Sequence, residues 1–253
     1  MDELHARRAR SFGSVATAYA QHRPGYPDAA VAWALESLTN GGRVLDLAAG
    51  TGKLTEAILR CGVPATAVLA VEPDGGMRAE LSRRLPEIAV RPGSAEQIPA
   101  TEGTVDAVLV GQAFHWFAPD RALGEIARVL RPGGVLAVLG NDEDDSVGWV
   151  VELTEAAQAA RPRGSVKRGS IDVPEHPAFG EPERCRFHWR WPRTIDSLLE
   201  TVATHSWALT STPDQRAAAL LAIRRFLTQH PATREGTFEL PMQTLVLRRT
   251  SRA

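Results

Sequence analysis

Cysteine is nearly absent: Cys61 and Cys185 are the only two in 253 residues, and they stand far apart. Two thiols cannot build a disulfide framework or a cysteine-rich zinc site. Such sparse use suits a reducing compartment, and a cytoplasmic location is expected. An excess of either charge is missing too. Lys plus Arg is 29 and Asp plus Glu is 30, so the formal net charge is −1. That balance argues against a dedicated nucleic-acid binder, which needs a basic field. Arg7, Arg8 and Arg10 read as a solvated helix face rather than a nucleic-acid contact. Long apolar runs are lacking. Stretches such as Ala67-Val68-Leu69-Ala70-Val71 have the length of a strand and are far too short to cross a bilayer. No apolar stretch of signal-peptide length follows the first ten residues. Internal repeats and low-complexity segments are also missing, which leaves a chain expected to stay away from the membrane.

What is present is a chain able to build a core. Hydrophobic residues make up 43% and charged residues 23%, which excludes a disordered chain. The length suits one large α/β domain, or one domain with a small subdomain. Residues 43–140 alternate short apolar runs with amphipathic stretches. Arg43 to Leu47 reads as a strand buried on both faces, ending in a small-residue turn. Residues 53–61 read as a helix, because Leu54, Ala57, Ile58 and Cys61 recur at spacings of three and four. Ala67 to Val71 is a second strand and Met77 to Leu85 a second helix. Ile88 to Val90 is a third strand and Val105 to Val110 a fourth. Arg121 to Leu130 is a helix with Leu123, Ile126, Val129 and Leu130 on one face. It stops at Arg131-Pro132-Gly133-Gly134, since proline cannot continue a helix and glycine supplies the turn. Val135 to Leu139 is a fifth strand.

Apolar strands alternating with helices imply a parallel sheet covered on both faces. The pattern changes at 141–145, Asn-Asp-Glu-Asp-Asp, followed by a helix from about Val147 to Ala160. Consecutive acids without a ligand spacing read as a solvated loop rather than a metal site. Residues 161–183 read as a long loop. Arg184 to Trp191 alternates like a strand. Helices follow over about 194–208 and 213–229, then a last strand over Phe238 to Leu247. No linker separates a second domain, so residues 1–253 are expected to form one. Trp149, Trp189, Trp191 and Trp207 fall in this second half, either walling an apolar pocket or packing a core.

Four strand ends carry polar or small residues in a pattern that suggests a site. The first is Asp46-Leu47-Ala48-Ala49-Gly50-Thr51-Gly52-Lys53. Ligands bind at the carboxyl ends of strands in an open parallel sheet. A nucleotide-phosphate loop does not fit, because Lys53 is followed by Leu54 and the upstream glycine position is Leu47. A dinucleotide fingerprint fits weakly: Gly50 and Gly52 match, but the third position is Thr55. That disfavours a nicotinamide oxidoreductase. An acid before a small-residue turn suits a cationic ligand bearing an amino acid. A plain strand-to-helix turn is the remaining alternative. The second end is Val71-Glu72-Pro73-Asp74, 20 residues past Gly52, where a carboxylate can accept both hydroxyls of a ribose. A dipole-favoured acid at a helix start is its alternative. The third is Gly93-Ser94-Ala95-Glu96-Gln97, an adenine edge or an ordinary turn. The fourth is Gly111-Gln112-Ala113-Phe114-His115-Trp116-Phe117, where a polar Gln and His among aromatics favour a site over core.

Taken in order, these segments resemble the class I S-adenosylmethionine-dependent methyltransferases. The likeness covers roughly residues 10–140 well and the rest loosely. Tyr19-Ala20-Gln21-His22-Arg23-Pro24-Gly25-Tyr26-Pro27 and Leu130-Arg131-Pro132-Gly133-Gly134, with the strand ends above, look like the small-molecule branch akin to trans-aconitate methyltransferases. The resemblance implies a doubly wound, mostly parallel seven-stranded sheet with helices on both faces and the last strand antiparallel. It implies lid helices over 1–40, a cofactor-binding core over 41–140 and a substrate-side half over 141–253. Asp46 and the backbone at Ala48, Gly50 and Gly52 would meet the methionine part of the cofactor. Glu72 would hold the ribose. Pro73 and Met77 would pack the adenine, with Ser94 and Ala95 along its edge. Gln112 and Ala113 would close the floor. Tyr19 and Arg23 would reach the cofactor carboxylate, unless Arg23 is a surface ion-pair partner. Tyr26, His115 and Trp116 would face the acceptor. One departure is Ala48, where the family usually has its first turn glycine.

The activity so implied is in-line methyl transfer to a small organic acceptor, giving S-adenosylhomocysteine. A carboxylate acceptor needs no base. A phenol, amine or carbon acid does, and His115 is the candidate, because imidazole titrates near neutrality. A structural histidine at a strand end is the alternative. A protein of this fold that binds the cofactor without methylating is the second functional reading. No metal and no nucleic acid are expected, and the chain is expected to be a monomer or homodimer.

Overall fold

The computed structural model describes residues 16–38, 41–159 and 171–252. Arg7, Arg8 and Arg10 lie outside them, as does much of the expected loop over 161–183. The described residues form two compact units: 25–38, 41–141, 171–187 and 244–252 make one, while 16–24, 142–159 and 188–243 make the other.

The first unit carries most of the sheet. The strands in chain order are β1 (Val44–Leu47), β2 (Val68–Val71), β3 (Ala89–Arg91), β4 (Val105–Gly111), β5 (Leu130–Glu143), β6 (Glu183–Thr194) and β7 (Thr237–Thr250), the last three lying partly in the second unit. They lie in the order β3-β2-β1-β4-β5-β7-β6. The first five are mutually parallel. β7 runs against β5: Gly133 N–H donates to Ser251 and Asp144 N–H to Pro241, so one chain rises as the other falls. This is the mostly parallel seven-stranded sheet with an antiparallel last strand expected from the sequence.

Period two along the strands sends alternate residues to opposite faces. On β5, Val135, Ala137 and Leu139 join one apolar cluster while Leu136 and Val138 join another. The first cluster packs α2 (Asp28–Ala34), α3 (Lys53–Arg60) and α4 (Gly75–Arg84) on one face. The second packs α5 (Pro119–Val129) on the other, through Leu123, Ile126 and Val129. Helices therefore cover both faces, and the central strands are apolar except for Asp46 in β1 and Asp106 in β4.

β5 begins earlier and ends later than the sequence suggests. Leu130 already pairs with Val105, and the register then jumps to Ala107 with Val135, so the Pro132-Gly133-Gly134 turn is looped out of the strand. Pairing with β7 carries β5 on to Glu143. The acid run is thus not a solvated loop as expected: Asn141 and Asp144 are buried.

The second unit holds α1 (Ala16–His22), α6 (Gly148–Ala159), α7 (Ile195–Ala203), α8 (Ser206–Thr210) and α9 (Pro213–Gln229). The helix expected over 194–208 is two. His205 has extended backbone at the break, and the Thr204 hydroxyl closes the first helix on the Thr201 carbonyl. Trp149, Trp189, Trp191 and Trp207 all join the apolar cluster of this unit, which is the core-packing alternative. No described helix is long and apolar enough to cross a membrane.

Candidate active site

The site is built where β1, β2 and β4 end together. Leu47 pairs with Val71 and Asp46 with Leu109, so the three carboxyl ends lie side by side. Asp46 points to the α3 face and is fully buried. Its Oδ2 accepts a 2.5 Å hydrogen bond from the Thr55 hydroxyl on the first helical turns of α3. Its Oδ1 is buried with no partner among the described residues. Burial pushes the Asp46 carboxyl up to about 7, the Thr55 bond opposes this, and nearby Glu72 adds to it.

The turn after β1 is left-handed. Ala48, Gly50 and Gly52 have φ of 57°, 57° and 86°. An L residue pays about 1–2 kcal/mol for that conformation, so Ala48 is strained where glycine would not be. Beside Gly50 there is open space: a Cβ built there meets nothing within 4 Å. The Thr51 hydroxyl is buried and, like Asp46 Oδ1, has no partner among the described residues. Two buried polar atoms without partners, next to an open turn, are what a polar ligand would satisfy.

Glu72 closes the turn from the β2 side. Gly50 N–H donates to Glu72 Oε2 and Asp74 N–H to Oε1, each at 2.9 Å. Burial raises the Glu72 carboxyl above its usual range, and these two backbone bonds oppose the rise. Each carboxylate oxygen keeps acceptor capacity for a further donor. Asp74 caps α4 by accepting from Met77 N–H. Met77 is buried and Pro73 exposed. Ser94 and Gln97 exchange backbone hydrogen bonds in the turn after β3. Ala95 and Ala113 are buried in the same apolar cluster as Leu47 and Val71, which draws the third and fourth strand ends to this edge.

At the end of β4, Gln112 is also left-handed, with φ of 58°. Its N–H donates to Leu139 and its side-chain amide to the Asn141 carbonyl. The residues that follow form a 3₁₀ turn, Phe114–Trp116. His115 is exposed there, with its ring 4.7 Å from that of Trp116. Tyr26 is buried, and its ring joins the cluster around Leu54 and Ala57.

Of the residues singled out by sequence, Asp46, Ala48, Gly50, Gly52, Glu72, Pro73, Met77, Ser94, Ala95, Gln112, Ala113, Tyr26, His115 and Trp116 all belong to the sheet-bearing unit. Tyr19 and Arg23 belong to the other, both near the end of the N-terminal chain segment. There the Arg23 guanidinium donates to the Thr204 carbonyl. Sequence reading missed Thr51, Thr55 and Asn141 as contributors. Thr55 was legible as the third residue of α3, but its bond to Asp46 needed the strand and helix to be docked.

The fold defines a class: a Rossmann-like sheet in the order 3-2-1-4-5-7-6, with its polar residues at the carboxyl ends. A family model described as a methyltransferase domain matches residues 45–138. An uncharacterized methyltransferase of Mycobacterium tuberculosis is 40% identical over 241 residues, 95% of this chain and 95% of the relative. A demethylmenaquinone methyltransferase of Renibacterium salmoninarum is 30% identical over 169 residues, 66% of this chain and 67% of the relative. Among solved structures, a proposed type II methyltransferase from Anaeromyxobacter dehalogenans has the same fold, with a TM-score of 0.65 at 24% identity. It covers 91% of this chain and 97% of that one. The chain belongs to the methyltransferase family.

Proposed function

We propose that the chain moves a methyl group from S-adenosylmethionine to a small organic acceptor in the cytoplasm. The observation that carries this reading is Asp46: a buried carboxyl whose Oδ1 has no partner among the described residues, beside an open left-handed turn and a second buried carboxyl. A ligand ammonium would pair Asp46, and ribose hydroxyls would find the spare acceptor capacity of Glu72. Met77 and Pro73 would pack the adenine, with Ser94 and Ala95 at its edge. Gln112 and Ala113 would floor the site. Two free cysteines, Cys61 and Cys185, are in keeping with a reducing compartment.

When bound, S-adenosylmethionine supplies an activated methyl on a sulfonium, displaced in line as its bonding pair goes to sulfur. The protein's share is position and desolvation. Tyr26 and Trp116 would orient the acceptor. His115, exposed at the strand end, would take the proton of a phenol, amine or carbon acid. A carboxylate acceptor would leave it no proton to take.

The test is a calorimetric titration of S-adenosylhomocysteine into the full chain, with one saturable site expected. Glu72→Ala is expected to weaken binding by about 1–3 kcal/mol, the cost of losing charge-assisted hydrogen bonds. A folded wild-type chain that does not bind would overturn the reading. Binding with an acceptor that gains no methyl by mass spectrometry would instead select the non-methylating alternative.

A further inference from the structure

We infer that Asn141 is a positioning residue of the donor site: with Thr244 it holds the Gly25–Tyr26 segment across the carboxyl ends of β4 and β5. The inference rests on the reading of that site given above. Asn141 is buried near the end of β5. Its side-chain Nδ2 donates to the Gly25 carbonyl at 2.8 Å. Its Oδ1 accepts from the Thr244 hydroxyl at 2.6 Å, a bond buried at both ends. Its own carbonyl accepts from the Gln112 amide at 2.6 Å. Three segments distant in sequence therefore meet on one residue.

The consequence falls on Tyr26 and Gln112. Gly111 lies directly under the Tyr26 phenol: a Cβ at Gly111 would stand 2.5 Å from Tyr26 Oη and 3.0 Å from Cζ. A side chain at 111 is thereby excluded, and the tyrosine rests on bare backbone. The next residue, Gln112, is held in a left-handed conformation that glutamine rarely adopts, by its bonds to Leu139 and Asn141. Such strain persists only where the surroundings over-determine it. Asn141 supplies one of those bonds through its main-chain carbonyl, while its side-chain amide donates to the Gly25 carbonyl and accepts from the Thr244 hydroxyl, fixing that carbonyl and the Gly25–Tyr26 segment against each other. Aspartate has no donor for Gly25 and an aliphatic residue pairs neither group. The order of the site floor at Gln112 and of Tyr26 above Gly111 thus depends on a residue that touches neither the glycine turn nor Glu72.

The test is calorimetry with S-adenosylhomocysteine on wild type, Asn141→Ala, Thr244→Val, Thr244→Ser and the double variant Asn141→Ala/Thr244→Val. Asn141→Ala, which loses the bonds to both Gly25 and Thr244, is expected to raise Kd about tenfold, and Thr244→Val, which loses one, several-fold. Thr244→Ser keeps the hydroxyl and is expected to bind like wild type. The double variant is expected to be no weaker than Asn141→Ala, since both act through one contact. A residue that merely fills the core would lower the fraction of active protein or the unfolding temperature and leave Kd unchanged. Wild-type Kd in folded Asn141→Ala and Thr244→Val, or fully additive losses, would overturn the inference while the donor-site reading stands. Should Asn141→Ala not fold, equal Kd in Thr244→Val and Thr244→Ser would do the same. A wild-type chain that binds no S-adenosylhomocysteine would overturn both.

Discussion

Asp46 shows how far burial alone can tune one carboxyl. Desolvation lifts it to about 7, against a usual value of 3.8, even though Thr55 donates to it. A raised acid binds its proton more tightly in the folded chain than in the unfolded one. The sign for stability follows: the chain gains from this group at low pH and loses that gain as pH rises from about 4 through about 7. Asp46→Asn is expected to flatten stability against pH across that window, as read by urea unfolding from pH 4 to 8. A cationic ligand reverses the balance, because it favours the ionised form. S-adenosylhomocysteine affinity is therefore expected to rise between pH 6 and 8 in wild type and not in Asp46→Asn, with about one proton released on binding. Equal pH dependence in the two proteins would remove Asp46 from the ligand's ammonium. The place of this residue was legible in the sequence, as an acid ending an apolar strand before a small-residue turn. Its protonation was not, because that depends first on burial by the packed sheet and helices, then on Thr55 and Glu72 arriving from other elements.

At the scale of elements, the joint between β1 and α3 is tight on one side only. Gly52 caps α3 with φ of 86°, and a Cβ there would stand 3.1 Å from Leu81 Cγ and 3.2 Å from Leu85 Cδ1. Those leucines belong to α4 and its C-cap, so the glycine lets two helices approach. Gly52→Ala is expected to cost about 1–2 kcal/mol in urea unfolding, from left-handed strain with crowding added. A loss below about 0.5 kcal/mol would show that the leucines give way and that the strain is small. Helix and strand periods were readable through most of the chain, because the sheet is covered by helices on both faces and every element shows its buried side. The failures are local. The break at Thr204 and His205 carries no proline or glycine, and side-chain bonds make it. β5 runs past its apolar stretch because β7 pairs with it, and pairing is invisible to a pattern taken one segment at a time.

For the whole molecule, ligand binding and folding are linked by mass action. Every residue proposed here to contact the cofactor lies in the sheet-bearing unit. Saturating S-adenosylhomocysteine should then raise the unfolding transition of that unit. At about 100 times Kd the gain is about 2.7 kcal/mol, which corresponds to a rise of roughly 5–10 °C for a chain of this size. Scanning calorimetry with and without ligand measures it. No shift at a concentration that calorimetric titration shows to be saturating would mean that the ligand binds without stabilising the folded sheet.

By itself, the sequence determined the covered parallel sheet, the order of its first five strands and helices, and the four strand ends that carry polar residues. These are local matters: periodicity, apolar runs, and turns punctuated by glycine and proline. The tertiary structure alone decided what those ends do to one another. Glu72 reaches back 22 residues to the Gly50 amide, Thr55 pairs with Asp46, and Asn141 ties Gly25 to Thr244 across 116 and 103 residues of chain. The reason is physical. A buried polar group must find a partner, and only the packed fold settles which partner is within reach.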